Sequence, residues 1–224
     1  MNLLRPFLPR DRAPRAVLTG LLRGIRLELD PRAGETQLWA GLYERETFPA
    51  IRRLVRGCRG ALDLGADRGD LVVFLLRQPG MQRVVAIEPS PEGQARLQRT
   101  LALNGLAGDA RLFIHPGFAG RGTPPLWRTL DDLAREAPAP LFIKIDIDGP
   151  EAVVLADGPE ALRDKDCRLL IETHSTEAET GCARQLRAAG YTVQIIPNAW
   201  WRAILPEHRT IAHNRWLAAW RESA

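Results

Sequence analysis

The chain has 224 residues, 45% of them hydrophobic and 26% charged, with a formal net charge of +4. That is enough apolar material for one globular domain with a sizeable core, and no stretch approaches the run of about 20 apolar residues that a membrane span requires. All but two of the 31 basic residues, Lys144 and Lys165, are arginine, and they are interleaved with acids along the chain, which argues against a concentrated nucleic-acid-binding surface.

One local excess, Arg5, Arg10, Arg12, Arg15, Arg23 and Arg26 against Asp11 and Glu28, reads as a solvated arm ahead of a contact for an acidic partner or a membrane surface. Pro6, Pro9, Arg10 and Asp11 interrupt any apolar leader, and Cys58, Cys167 and Cys182 show neither metal spacing nor an even framework. The expectation is a cytoplasmic protein.

Residues 1–58 read as a lead-in or cap to a domain over 59–224. Pro6, Pro9 and Pro14 predict an irregular start. Ile25, Leu27 and Leu29 alternate with Arg26, Glu28 and Asp30, the pattern of a half-buried strand, and 31–34 supplies a turn. A helix over 47–55 follows Trp39 and Tyr43, which either pack into the core or stand near a ligand mouth.

The run ALDLGADRGD, residues 61–70, then predicts a strand, a tight turn with Gly65 and Gly69, and a helix. Such a turn leaves backbone N–H groups free and lets a ligand approach where a Cβ would collide. Two glycines alone also suit an ordinary turn. The strand over 83–87, however, ends in Glu88, 25 residues after Asp63, where a nucleotide-binding βαβ unit carries an acid for ribose hydroxyls.

Ser90 and Pro91 open a helix that Asn104-Gly105 ends. Strands over 111–114, 141–146 and 168–172 alternate with helices over 129–136, from Pro150, and over 177–189. Strands over 191–196 and 216–220 close the chain without a long helix between them, so the last must run antiparallel.

In the strand over 141–146, Phe142, Lys144, Asp146 and Asp148 share parity, and Leu170, Glu172 and His174 repeat the design one strand later. Lys144 can pair with Asp146 as a structural ion pair. If the two strands are neighbours, Asp146, Asp148, Glu172 and His174 line one rim beside the glycine turn. Asp146, Asp148 and Glu172 could hold a Mg²⁺, or one group could act as a general base without a metal. His115 and Phe118 could meet a base ring, and His208, His213, Trp200 and Trp201 could line a substrate pocket, or all could simply pack.

The order DLGADRG, IEP, NGL, TLDD, KIDIDGPE, IETH and HNRWLA, with GLYERE in the lead-in, resembles the FkbM-type class I S-adenosylmethionine-dependent methyltransferases from about residue 24 onward. The resemblance implies a Rossmann-like, doubly wound α/β sheet of seven strands in the order 3-2-1-4-5-7-6, with strand 7 antiparallel. It implies that Asp63, Gly65 and Gly69, with Ala66 and Asp67 beside them, hold the methionine end of S-adenosyl-L-methionine. Glu88, with Pro89, would hold its ribose. Lys144, Asp146 and Asp148 fall on the family's signature strand; the catalytic candidates, read from the strand ends, are Asp146, His174, Lys144 and Glu172.

Asp67 stands where the family usually has Asn, adding negative charge beside the methionine carboxylate, and Asp148 stands where Glu is usual. The implied activity is O-methylation of a small hydroxylated acceptor, a natural product or sugar-like molecule. A catalytically silent binding or scaffold domain of the same fold is the alternative. Short-chain oxidoreductase chemistry is disfavoured, because Tyr43 and Tyr191 are followed four residues on by Thr47 and Ile195 rather than Lys.

Overall fold

A computed structural model describes residues 8–9, 11–203 and 213–221. The lead-in forms a two-stranded antiparallel ribbon, β1 (Ala13–Ala16) and β2 (Arg26–Leu29), followed by helices α1 (Thr36–Ala40) and α2 (Phe48–Val55). The start is therefore more regular than its prolines predict. Pro14 lies opposite Glu28 in a ribbon with free edges, where a missing N–H is tolerated.

The βα alternation then runs through β3 (Gly60–Leu64), α3 (Asp70–Leu76), β4 (Arg83–Ile87), α4 (Pro91–Leu103) and β5 (Leu112–His115). A short ribbon, β6 (Phe118–Ala119) and β7 (Trp127–Arg128), interrupts it, two residues per strand being too short for sequence periodicity to reveal. The chain continues with α5 (Leu130–Arg135), β8 (Leu141–Ile145), α6 (Glu151–Ala156), α7 (Pro159–Asp164), β9 (Cys167–Thr173), α8 (Thr176–Ala188), β10 (Thr192–Ile196) and β11 (Arg215–Trp220). Pro150 stands at the N-cap of α6, one residue ahead of its expected first-turn place.

The main sheet has the order β10-β11-β9-β8-β3-β4-β5. Numbered along the chain, its strands run 3-2-1-4-5-7-6, and β11 is antiparallel to both neighbours. It differs from the expectation only in the two accessory ribbons outside it.

Strand alternation divides the core into two layers. Ala61, Val84, Ala86, Phe142, Leu170 and Trp216 face α2, α3, α4 and the lead-in leucines Leu27 and Leu29. Leu62, Leu64, Ile87, Ile143, Ile145 and Ile171 face the opposite layer of α5 to α8. With both faces covered, the carboxyl edge of β3, β4, β8 and β9 is where side chains and loops are free to hold a ligand. Among the described residues no helix is long and apolar enough to cross a membrane.

Phe142 is fully buried in the middle of this arrangement. Phe142→Ala should lower unfolding free energy by about 3–5 kcal/mol, read from urea denaturation, since the lost contacts leave a cavity that rigid neighbouring strands cannot fill.

Candidate active site

The turn after β3 closes tightly. Gly65 has φ +83°, and a Cβ there would lie 1.8 Å from the Asp146 carbonyl oxygen. Gly69 has φ +74°, and its Cβ would meet Leu97 of α4 at 2.1 Å. Both positions therefore demand glycine, for backbone and for space. Between them Asp67 takes a left-handed conformation, φ 37°, which Asp tolerates better than most residues.

Glu88 is held in place across this turn. Its Oε2 accepts the Asp67 N–H at 2.9 Å, and its Oε1 accepts the Ser90 N–H at 2.9 Å and the Ser90 hydroxyl at 2.8 Å. Ser90 in turn caps α4, its Oγ accepting the Gly93 N–H at 2.9 Å. A Cβ on Gly93 would sit 2.5 Å from the Glu88 carboxyl carbon, so that glycine makes room for the acid. The added negative charge at Asp67 is met on the spot by Arg96 of α4, whose Nε donates to Asp67 Oδ1 at 2.8 Å.

At the sheet centre, Lys144 Nζ donates to the Gly65 carbonyl at 2.8 Å and lies 3.1 Å from Asp146 and 3.3 Å from Asp63. Burial opposes the charge on Lys144, but Asp146 and Asp63 outweigh it and raise its pKa well above the ordinary value. Burial pushes the Asp63 carboxyl up to about 6 despite Lys144. Asp146 is held below the ordinary carboxylate range, because Lys144, a hydrogen bond shared with Glu172 and the charge of His174 overcome its burial.

The expected rim forms at the ends of β8 and β9. His174 Nε2 lies 3.2 Å from Asp148 Oδ1, 3.7 Å from Glu172 Oε2 and 3.8 Å from Asp146 Oδ1. Its Nδ1 meets Glu151 Oε1 at 2.5 Å, and that same oxygen accepts the Gly149 N–H at 2.8 Å. Burial disfavours the imidazolium, but Glu151 first, then Asp146 and Asp148, override it and raise the pKa of His174. Glu172 accepts a hydrogen bond from the Asn214 amide.

These groups face a cavity of about 580 Å³ that is shared by Gly65, Asp67, Glu88 and Pro89 on one side and Asp146, Asp148, Glu172 and His174 on the other. Lys144 stands behind the turn and is not part of that wall, and Ala66 is buried beneath it.

Among the described residues, the trio able to offer a cation one donor each within 4.8 Å is Asp146, Asp148 and His174, with His174 in the place expected for Glu172. An imidazole with two carboxylates does not suit Mg²⁺, which prefers an all-oxygen shell.

Phe118 stacks on Trp127, centroids 4.7 Å apart, and both line the cavity. His115 is instead engaged by Glu136 at 2.8 Å, and His213 lies 3.8 Å from Glu179. Trp200 is exposed; His208 and the Trp201 side chain lie outside the described residues. Tyr43 lines the cavity, whereas Trp39 packs on the core.

Sequence reasoning missed Glu151, Arg96 and Asn214. Glu151 and Asn214 belong to the quoted runs KIDIDGPE and HNRWLA, a signal that was present without a role attached. Arg96 had no local signal, since only the packing of α4 against the turn gives it Asp67 as a partner.

No family model matches the sequence, and a search of curated proteins finds no match. Among solved structures, the chain is similar to the methyltransferase FkbM from Methylobacillus flagellatus KT, with TM-score 0.58 and 23% identity over 72% of this chain and 43% of that one. It thus spans less than half the length of that protein. It is also similar to a precorrin-6y C5,15-methyltransferase from Geobacter metallireducens, with TM-score 0.52 and 12% identity over 77% of this chain and 86% of that one. A putative O-methyltransferase from Klebsiella pneumoniae gives TM-score 0.51 and 17% identity over 80% of each chain. The protein has the Rossmann-like fold of class I methyltransferases.

The Glu151–His174 contact has a direct test. The His174 imidazole, followed by NMR, should titrate above the ordinary value of 6.5, and Glu151→Gln should move it down. The sign for stability follows: this pair's contribution is complete below the unfolded-state pKa and is lost as pH rises through the raised folded value.

Proposed function

We propose that the protein is an S-adenosylmethionine-dependent O-methyltransferase acting on a hydroxyl of a small natural-product or sugar-like acceptor. The observation that carries this reading is the locked Glu88 beside the glycine turn, on a cavity whose other wall holds Asp146 and His174. When bound, S-adenosylmethionine supplies an electrophilic methyl group on a cationic sulfonium. The surplus of carboxylates around this cavity complements that charge.

Glu88 has its oxygens fixed by Asp67 and Ser90 and presents its remaining lone pairs to a ribose diol. Lys144 holds the turn and Asp146 in one rigid unit. Asp146, ionised at neutral pH, lies 3.8 Å from His174 Nε2 and stabilises the imidazolium that forms when the acceptor's hydroxyl proton arrives there. His174, oriented by Glu151, takes that proton through Nε2, and its pKa is the better match to the task. Phe118 and Trp127 give the acceptor an apolar wall. The three buried, free cysteines support a reducing, cytoplasmic setting.

Calorimetric titration with S-adenosylhomocysteine should show saturable binding that Glu88→Ala weakens by about tenfold or more, roughly 1.4 kcal/mol. Absence of binding by the wild type would refute the cofactor. With a responsive acceptor, His174→Gln should lower kcat by about 10²–10⁴ while binding of S-adenosylhomocysteine persists. Because the base must be unprotonated, kcat/KM should rise as pH increases through the raised pKa of His174, and Glu151→Gln should move that limb to lower pH. Binding without turnover on any hydroxylated acceptor would support a silent binding domain instead.

A further inference from the structure

Behind the glycine turn the lead-in closes a second, smaller cavity of about 150 Å³, walled in part by Tyr43, Glu44, Phe48, Arg68 and Asp70. Tyr43, Gly65, Asp67 and Asp146 border this cavity and the larger one alike, so the two meet at the turn. The lining of the smaller space is rich in acids: Glu44, Asp67, Asp70 and Asp146. Its cations are Lys144 and Arg68.

These two cations are in different states. Lys144 is fully engaged by Gly65, Asp63 and Asp146. Arg68 is not. Its charge is favoured by Asp70 first and then Asp67, yet its Nε is buried without a hydrogen-bond partner, the Asp67 Oδ2 of its ion pair standing 4.0 Å away. Asp67 is itself already committed to Arg96 through its other oxygen. The Arg68 side chain is 28% exposed, and its guanidinium stands 6.0 Å from the Tyr43 ring. Withdrawing a guanidinium from water without acceptors is unfavourable, and its planar fork matches a carboxylate held by two parallel hydrogen bonds.

We infer that Arg68 receives the carboxylate of the cofactor's amino-acid end, while the acids of the same small cavity receive its ammonium group. This rests on the S-adenosylmethionine reading above and goes further. It assigns recognition of the zwitterion to a side chain as well as to the turn, and it makes the lead-in residues Tyr43 and Glu44 the closure of that end of the site. Arg68 and Arg96, one on each side, then offset the negative charge that Asp67 brings to the place where a carboxylate must bind.

The test compares two ligands on wild type, Arg68→Met and Arg68→Lys by calorimetry: S-adenosylhomocysteine, and 5′-methylthioadenosine, which keeps the adenosine and thioether but lacks the amino-acid group. Arg68→Met should lose about tenfold or more in affinity for S-adenosylhomocysteine and change by less than about twofold for methylthioadenosine, with Arg68→Lys in between. Retained methylthioadenosine binding also shows that the variant is folded. If Arg68→Met binds S-adenosylhomocysteine as the wild type does, or loses both ligands equally, the assignment to Arg68 is overturned and the cofactor reading stands on the wild-type titration. A wild type that binds neither ligand overturns both.

Discussion

The ammonium of Lys144 ties together two pieces of chain that are far apart in sequence: the end of β3 and its turn, through Asp63 and the Gly65 carbonyl, and its own strand β8, through Asp146 just beyond it. A charge in the middle of a parallel sheet is unfavourable unless it is paired, and a buried pair broken on one side leaves an uncompensated charge. The arrangement therefore holds as a unit. It also sets the electrostatics of the edge, since Lys144 keeps Asp146 ionised while burial leaves Asp63 reluctant to be.

Around that unit the site is built by displacement of ordinary side chains. Gly65 lets the turn rest against the Asp146 carbonyl, and Gly93 leaves room for Glu88 to turn back under Asp67 and Ser90. Glu151, fully buried, fixes one nitrogen of His174 and leaves the other facing the cavity. A carboxylate orienting an imidazole is a recurring way to commit one ring nitrogen to proton transfer. The cavity thus has a polar, rigid floor and, at Phe118 and Trp127, an aromatic wall.

Much of this was legible along the chain because the relevant signals are local. Period-two alternation placed Phe142, Lys144 and Asp146 on one face and Ile143 and Ile145 on the other, and the two core layers divide in that way. Glycine spacing marked the turn, and an acid at the end of the next strand marked Glu88. Pro14 misled, because a proline inside a free-edged ribbon leaves no trace that separates it from a proline in irregular chain.

What the sequence by itself determined was the alternating architecture, the antiparallel last strand and the rim of Asp146, Asp148, Glu172 and His174, all of which follow from side-chain parity and from where strands must end. Only the tertiary structure decided the pairings: Arg96 with Asp67, Glu151 with His174, Asn214 with Glu172, and the Nε of Arg68 left without a hydrogen bond at the second cavity. The physical reason is that a residue's parity depends on its own strand or helix. Its partner depends on how far separate helices and loops are brought against the sheet, and that distance is set by packing across the whole core.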